Sequence, residues 1–215
     1  MFFDDSLTRQ VELKMKIYEN KAGNLAAFVL DPDHWDDFVR LFGERGACGG
    51  CWCMSWRRYK ADFDACKGES NKLAMKELVD RHQPVGVLLY LDKQPIGWCA
   101  AAPREVYLRL EKSRVFRRPD SLPVWSISCF FIDQAFRRKG YTLDLIRAVL
   151  NFCRMNGAET VEAYPQIPYS EHVPGAFLWT GVPSVFEKAG FHETVRRSKW
   201  KRMMRRSLDT APDEK

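Results

Sequence analysis

A chain of 215 residues with 46% hydrophobic content, seven Trp and fourteen Phe can bury a full core, which argues for a folded globule and against a disordered chain. Its 34 basic and 28 acidic side chains leave a net charge of +6, a mild bias toward an anionic ligand, with much of the excess in residues 196–206. No apolar run approaches the roughly 18 residues of a membrane span, and the opening MFFDDSLTRQ has acids where a secretion signal needs basic then apolar residues, so the expected location is the cytoplasm.

The first helix is predicted near residues 33–43, opened by DPD, with Trp35, Phe38, Val39 and Phe42 at helical spacing and Gly43 closing it. A second is expected near 69–82, with Leu73, Leu78 and Val79 inward and Pro84 beyond its end. Between them lie Cys48, Cys51, Cys53 and Cys66, four of the seven cysteines. Reduced thiols are the expectation in a cytosolic protein of this size. Zinc is disfavoured, because no second CxxC pair or nearby His follows and Cys51 and Cys53 stand only two apart, so no metal is expected. CWCMSWRRY reads instead as a partly buried wall of Trp52, Met54, Trp56 and Tyr59 that lines a pocket.

The period then changes. VGVLLYLDKQPIGWCAAAP gives two strands joined at DKQP, a hairpin, and the charged interval from Pro103 to Pro123 is long enough to hold a short helix or flap. From Pro123 follow a strand, VWSISCFFI, a basic turn, DQAFRRKG, a helix, YTLDLIRAVLNFCRMNG, and a strand, ETVEAY: a parallel crossover unit. After a loop rich in Pro and His, SVFEKAG forms a short helix stopped by Gly190, and FHETVRR and KWKRMMRR close the chain as two strands. The tail RRSKWKRMMRR reads as a terminal strand with one solvated face, not as a nucleic-acid patch, since no base-stacking aromatics interleave with its cations.

In FRRKGYTLDLI three cations and a glycine precede the apolar pattern of a helix. A helix start leaves amide hydrogens unsatisfied and carries the positive end of the dipole, so a phosphate docked there supplies acceptors and opposite charge together. Gly140 lets the backbone turn tightly and approach a diphosphate. A solvated basic turn is the bland alternative.

These residues resemble the acyl-CoA motif of the GNAT superfamily of acetyl-CoA-dependent N-acetyltransferases, in which Arg or Gln, two residues, Gly, one residue, and Gly or Ala follow in order. Arg137, Gly140 and Thr142 stand in those places; Thr142 departs from the small last residue, and Arg138 replaces a glycine common after the first. The order of elements from about Val85 to Arg206 matches as well, and CWCMSW, PVWSISCFF, VEAYP and WTG look like a bacterial branch of the superfamily. The resemblance implies a mixed α/β fold with a largely antiparallel sheet and one strand-helix-strand crossover. It implies a single domain over 1–215, with a helical acceptor side at about 31–83 and a coenzyme-binding core at about 85–206.

It further implies that the fourth and fifth strands, near Ile127–Ile132 and Thr160–Tyr164, splay apart. Backbone groups of Phe131, Ile132 and Asp133 would pair with the pantetheine of acetyl-CoA. The segment Arg137, Arg138, Lys139, Gly140, Tyr141 and Thr142 would hold the diphosphate, with Ser184 and Phe186 on the short helix nearby. An acceptor amine, on a small molecule or a peptide, would attack the thioester directly. Glu162 and Tyr164 share one strand face by alternation, Glu162 placed either to take the amine's proton or to pair with an arginine. Many members carry a tyrosine acid where this chain has Phe186, which leaves Tyr164, Ser184 or water for that role. Trp52, Trp56 and Trp179 are expected at the acceptor cleft, with core packing as the plain alternative. A cysteine route through Cys129 or Cys51, a CoA-binding module with reduced catalysis, and a metal-dependent module on the cysteine loop are the competing readings. No membrane and no nucleic-acid partner is expected, and exposed terminal strands fit a homodimer.

Overall fold

A computed structural model of the chain describes residues 16–169 and 178–208. The opening decapeptide and most of the loop rich in Pro and His lie outside the described residues. Eight strands form one sheet in the order β1-β2-β3-β4-β5-β6-β8-β7. They are β1 Lys16–Glu19, β2 Leu25–Val29, β3 Gly86–Leu91, β4 Gln94–Pro103, β5 Trp125–Ile132, β6 Thr160–Ala163, β7 His192–Val195 and β8 Met203–Ser207. Every neighbouring pair is antiparallel except β5 with β6. That exception follows from the crossover helix over Tyr141–Met155, which returns the chain to the same end of the sheet.

The hairpin β1–β2 was not anticipated; its strands are short and its apolar run, Leu25–Val29, contains two alanines. It shifts the count, so that the two strands expected as fourth and fifth are β5 and β6. The β3–β4 turn is tight because Asp92 and Lys93 both adopt positive φ, 47° and 66°, the pattern of a type I′ turn.

On one face lie α1 Trp35–Phe42, α2 Lys60–Ala65 and α3 Glu69–Asp80. Asp31 caps the turn before α1 by accepting from the His34 amide at 3.1 Å, and Gly43, at φ 65°, ends the helix. Phe38, Phe42, Trp52 and Trp98 form the aromatic centre of this half of the core. In α3 the inward residues are Asn71, Met75 and Val79, and Leu73 is 60% exposed, contrary to expectation. With Val79 inward, Met75 lies one turn back on the same stripe, and 73 falls on the solvent side.

On the other face α5 Tyr141–Met155 buries Leu145, Ile146, Val149, Leu150 and Cys153, and α6 Pro183–Lys188 buries Phe186. Strand β4 supplies both halves by alternation, Trp98 and Ala100 to one and Cys99 and Ala101 to the other. The interval after Pro103 forms a 3-10 turn, Arg104–Val106, and a short helix, α4 Leu108–Glu111. A third apolar cluster, including Tyr107, Leu110, Phe116, Tyr164 and Met203, fastens it to the sheet. Among the described residues no helix is long and apolar enough to cross a membrane.

Candidate active site where two parallel strands part

Strands β5 and β6 pair over three positions only, Trp125 with Val161, Ser126 with Glu162 and Ile127 with Ala163. Beyond them β5 continues to Ile132 against β4. The register of β4 and β5 slips between Ala100 and Ala101, which leaves Ser128 as the extra residue of a bulge where the two parallel strands separate. On the far side the chain leaves β6 through Tyr164 and Pro165, and Pro165 has no amide to extend the ladder. A turn at 178–181 fills part of the gap: Trp179 O accepts the Phe130 amide at 2.6 Å, and Gly181 O accepts that of Gln166 at 2.9 Å.

What remains is a small cleft of about 40 Å³ lined by Trp56, Phe116, Tyr164, Gln166, Trp179, Thr180 and Lys201. Three of the residues singled out in the sequence meet here. Trp56 and Trp179 touch, with ring centroids 5.7 Å apart, and Tyr164 lies beneath Phe116 at 5.0 Å. Trp52 does not join them: it is 3% exposed and stacks on Phe42 at 5.6 Å in the core.

Amide directions on β5 divide the three expected backbone positions. Phe130 turns its amide toward the gap, so Ile132, two residues on, faces the same way. The Asp133 amide is already given to Ile96 O at 3.0 Å, and the Asp133 carboxylate accepts from the Ala135 amide at 2.9 Å, which shapes the turn into α5. Arg137 Nε donates to Ile132 O at 2.8 Å, and the Lys139 ammonium sits 5.4 Å above the Phe136 ring.

Helix α5 starts from Gly140, left-handed at φ 91°, and a Cβ there would meet nothing within 4 Å. Arg138 also has positive φ, 62°, in the place where the motif more often has glycine. Tyr141 and Thr142 open the helix, and their amides have no intrahelical acceptor. Ser184 is exposed on α6, whereas Phe186 is 0% exposed and packs edge-on against Phe130 and Phe191, so its ring offers a ligand no surface.

Glu162 and Tyr164 do share a face, and the hydroxyl of Tyr164 donates to Glu162 Oε2 at 2.7 Å. Neither is alone. Glu162, 0% exposed, receives Arg104 Nη1 on Oε2 at 2.5 Å, and Arg205 Nε and Nη2 on Oε1 at 2.7 and 2.6 Å. Four donors occupy the acceptor directions of one carboxylate, which leaves none to take a proton from a cleft it does not line. Arg104 also reaches Glu111 and Phe116 O, and Arg205 reaches Asp120, so the interval after β4 is tied to the sheet through buried charge. Burial, then the neighbouring charge of Glu162, pushes the Tyr164 hydroxyl well above its ordinary value. It stays protonated at neutral pH, with Ser126 Oγ 2.7 Å away.

Arg104, Arg205, Phe116 and Lys201 were missed in the sequence. The solvated face expected for the last strand is overturned: Met203, Met204, Arg205 and Arg206 are all buried. Arg205 is register partner of Glu162, and Arg206 donates to Ala189 O at 2.5 Å just past α6.

The cysteine loop contributes to the opposite half of the core. Cys53 accepts from Trp98 Nε1 at 3.1 Å, and a hydrogen bond from Cys129, with that of Trp98, holds its thiol below the usual range. The partners move the other way: hydrogen bonding to Cys53 and burial push Cys129 well up, and burial with the charge of Cys53 pushes Cys51 up to about 11. Both are therefore poor nucleophiles at neutral pH. Among the described residues no group of three or more His, Cys, Asp or Glu converges to hold a metal ion.

Comparison with known proteins bears on this geometry. A model described as the Acetyltransferase (GNAT) family matches residues 52–170. A solved structure from the yellow fever mosquito Aedes aegypti, named as a candidate arylalkylamine N-acetyltransferase 7, is 11% identical, covers 90% of this chain and 95% of its own, and superposes with a TM-score of 0.56. A candidate acetyltransferase, yncA, from Salmonella typhimurium with its cofactor acetyl-CoA is 15% identical over 89% of this chain and 99% of its own, with a TM-score of 0.48. The ribosomal-protein-S5-alanine acetyltransferase of Vibrio fischeri is 12% identical over 89% and 96%, with a TM-score of 0.49. No curated protein matches the sequence.

Proposed function

Because the chain belongs to the acetyltransferase (GNAT) family, we propose that it moves an acetyl group from acetyl-CoA to the primary amine of an acceptor by direct attack, with no covalent enzyme intermediate. The observation that carries this reading is the parting of β5 and β6 after three paired residues, with the start of α5 at Gly140 following directly on β5. The open space around Gly140 and the uncapped amides at the head of α5 suit a diphosphate, so Arg138–Thr142 are the residues that would hold it, with Arg137 and Lys139 adding charge. The edge of β5 at Ile132 would pair with the pantetheine. Acetyl-CoA supplies the activated thioester when bound.

In this reading residues 1–215 form one domain, and the acceptor enters beside Trp56 and Trp179. Among the described residues Tyr164, whose proton is retained at neutral pH, is the one ionisable hydroxyl lining the cleft, and it takes the acid role that Phe186 cannot. Arg104 Nη1, 3.1 Å from the Tyr164 oxygen, would steady it as charge develops there. Glu162 serves as a positioning residue that fixes Tyr164 and both arginines, and the amine gives up its proton to water. Ser184, exposed on α6, borders the coenzyme side.

A thiol-release screen of amines with acetyl-CoA, run beside calorimetry with CoA alone, tests the proposal. CoA binding together with thiol release and an acetylated amine is expected. Tight CoA binding with no release across the panel would favour a regulatory CoA-binding module instead, and no CoA binding would overturn both.

A further inference from the structure

A second cavity, sharing no lining residue with the cleft, lies where the cysteine loop and the end of α3 meet the end of β4. Its volume is about 260 Å³, and a dry cavity of roughly 150 Å³ is enough to hold benzene. Met54, Leu78, Pro84, Pro103 and Val106 give it apolar walls, and Gln83 adds an amide. Among the described residues its lining carries a single charge, that of Arg57.

Two contacts set the guanidinium itself, and not only its stem, at this wall. Arg57 Nη2 donates to the carbonyl of Pro84, a lining residue, at 3.1 Å, and the guanidinium carbon sits 5.1 Å above the ring of Tyr107. Nε and Nη1 have no acceptor among the described residues, yet neither is sealed from solvent. Arg57 is only 8% exposed, so these nitrogens reach the cavity that it lines.

Other buried arginines are matched by carboxylates, Arg104 and Arg205 by Glu162 and Arg202 by Glu193. Arg57 has no such partner among the described residues. The acids beside lining residues in the chain are already paired, Glu77 with Arg81, Asp80 with Lys76 and Glu105 with Arg118. The Cys53 thiol, after its hydrogen bonds with Cys129 and Trp98, feels the charge of Arg57, but Cys53 does not line the cavity. A cation this deeply buried without a carboxylate costs stability that an anionic ligand would recover.

We propose that this cavity binds a small monocarboxylic acid whose apolar body is one ring or a short branched chain. Its carboxylate takes the guanidinium hydrogens that lack an acceptor, and its carbon body lies against Met54, Leu78 and Val106. Apolar walls would leave the further oxygens of a phosphate without donors, which favours the carboxylate. Acetyl transfer is not needed for such binding.

The test is a ligand-observed NMR titration of the full chain with benzoate and with isovalerate, each beside its neutral amide, repeated for Arg57→Met and Val106→Trp. At least one acid is expected to bind with a Kd of about 1 mM or tighter, and roughly tenfold or more tighter than its amide. Arg57→Met keeps an apolar stem and should abolish that preference. Val106 is 38% exposed, so Val106→Trp should fold and, by filling the cavity, weaken acid and amide alike; it carries the test if Arg57→Met does not fold. Equal binding of acids and amides, binding of none of the four probes, or acid binding untouched by Val106→Trp would overturn the proposal.

Discussion

Glu162 on β6 and Arg205 on β8 are register partners, and their side chains meet on the buried face with Arg205 Nε 2.7 Å from Glu162 Oε1. Arg104 closes on the other oxygen from the interval after β4. Removing the carboxylate charge would leave two guanidiniums, 0% and 8% exposed, with only Glu111 and Asp120, among the described residues, at the edge of the cluster to balance them. Glu162→Gln is expected to cost about 3–5 kcal/mol, a fall in melting midpoint on the order of 10 °C for a chain this long. Calorimetric melting checks it, and an unchanged midpoint would show that the ionic cluster contributes nothing to the fold.

Four buried or half-buried tyrosines, Tyr164 of this cluster among them, fix how the protein responds to alkali. Burial raises Tyr164 and Tyr107 well above their ordinary values, raises Tyr18 to about 12 with help from the hydrogen bond to Asp144, and raises Tyr90 further. A group whose folded pKa is raised contributes stability that is fully present below its unfolded value, about 10 for tyrosine, and lost as pH climbs through the folded value. Stability should therefore be level near neutrality with respect to these groups and decline above about pH 10. Followed by tyrosinate absorbance, these four hydroxyls should ionise together with unfolding, and Tyr164→Phe should flatten the decline. Smooth ionisation of all tyrosines in the native state would contradict it.

How much of this was legible beforehand depends on the range of the interaction. Alternation put Glu162 beside Tyr164, and the strand-helix-strand order predicts the parallel crossover, because both are local patterns; the parting of β5 and β6 follows from the family resemblance alone. The partners Arg104 and Arg205 stand 58 and 43 positions from Glu162, and no local period connects them. Consecutive arginines in MMRR looked solvated because a buried arginine is credible only when its carboxylate is known. Trp52 and Trp56 are equally apolar, yet Trp52 has positive φ, 41°, and turns into the core, while Trp56 reaches the cleft. In α3, Leu73 was assigned inward from hydrophobicity, and the stripe actually runs through Met75.

Two positions in the turn before α5 should separate stability from binding. Arg138 occupies left-handed backbone at φ 62°, which costs an ordinary residue about 1–2 kcal/mol, so Arg138→Gly is expected to be neutral or stabilising by up to about 1 kcal/mol. Gly140→Ala should lose about 1 kcal/mol by backbone strain alone, because its Cβ meets no protein atom within 4 Å. If the coenzyme's phosphates dock there, that same Cβ stands against them, and Gly140→Ala should weaken CoA binding far more than Arg138→Gly. Melting curves and CoA calorimetry on the two variants decide it. Wild-type CoA affinity in Gly140→Ala would displace the phosphate site from this turn.

Cys53 ties the cysteine loop to the sheet by polar contacts with Trp98 and Cys129 inside an aromatic core. Trp98 is 0% exposed, and its indole N–H gives its hydrogen bond to Cys53 Sγ at 3.1 Å. Cys53→Ala removes that acceptor and leaves a buried donor unpaired, a loss of about 1–3 kcal/mol. Positive φ at Cys53, 60°, makes the loop strained as well, and Cys53→Ser preserves an acceptor without relieving that strain. The expected order of stability is therefore wild type, then Cys53→Ser, then Cys53→Ala, read by denaturant unfolding. Thiol titration of the folded protein offers an independent check. Losing the Cys53 partner removes the hydrogen bond that holds the Cys129 thiol up, so in Cys53→Ala the Cys129 thiol should react with a neutral alkylating reagent at lower pH than in the wild type. Identical pH profiles would mean that the two sulfurs do not share a proton.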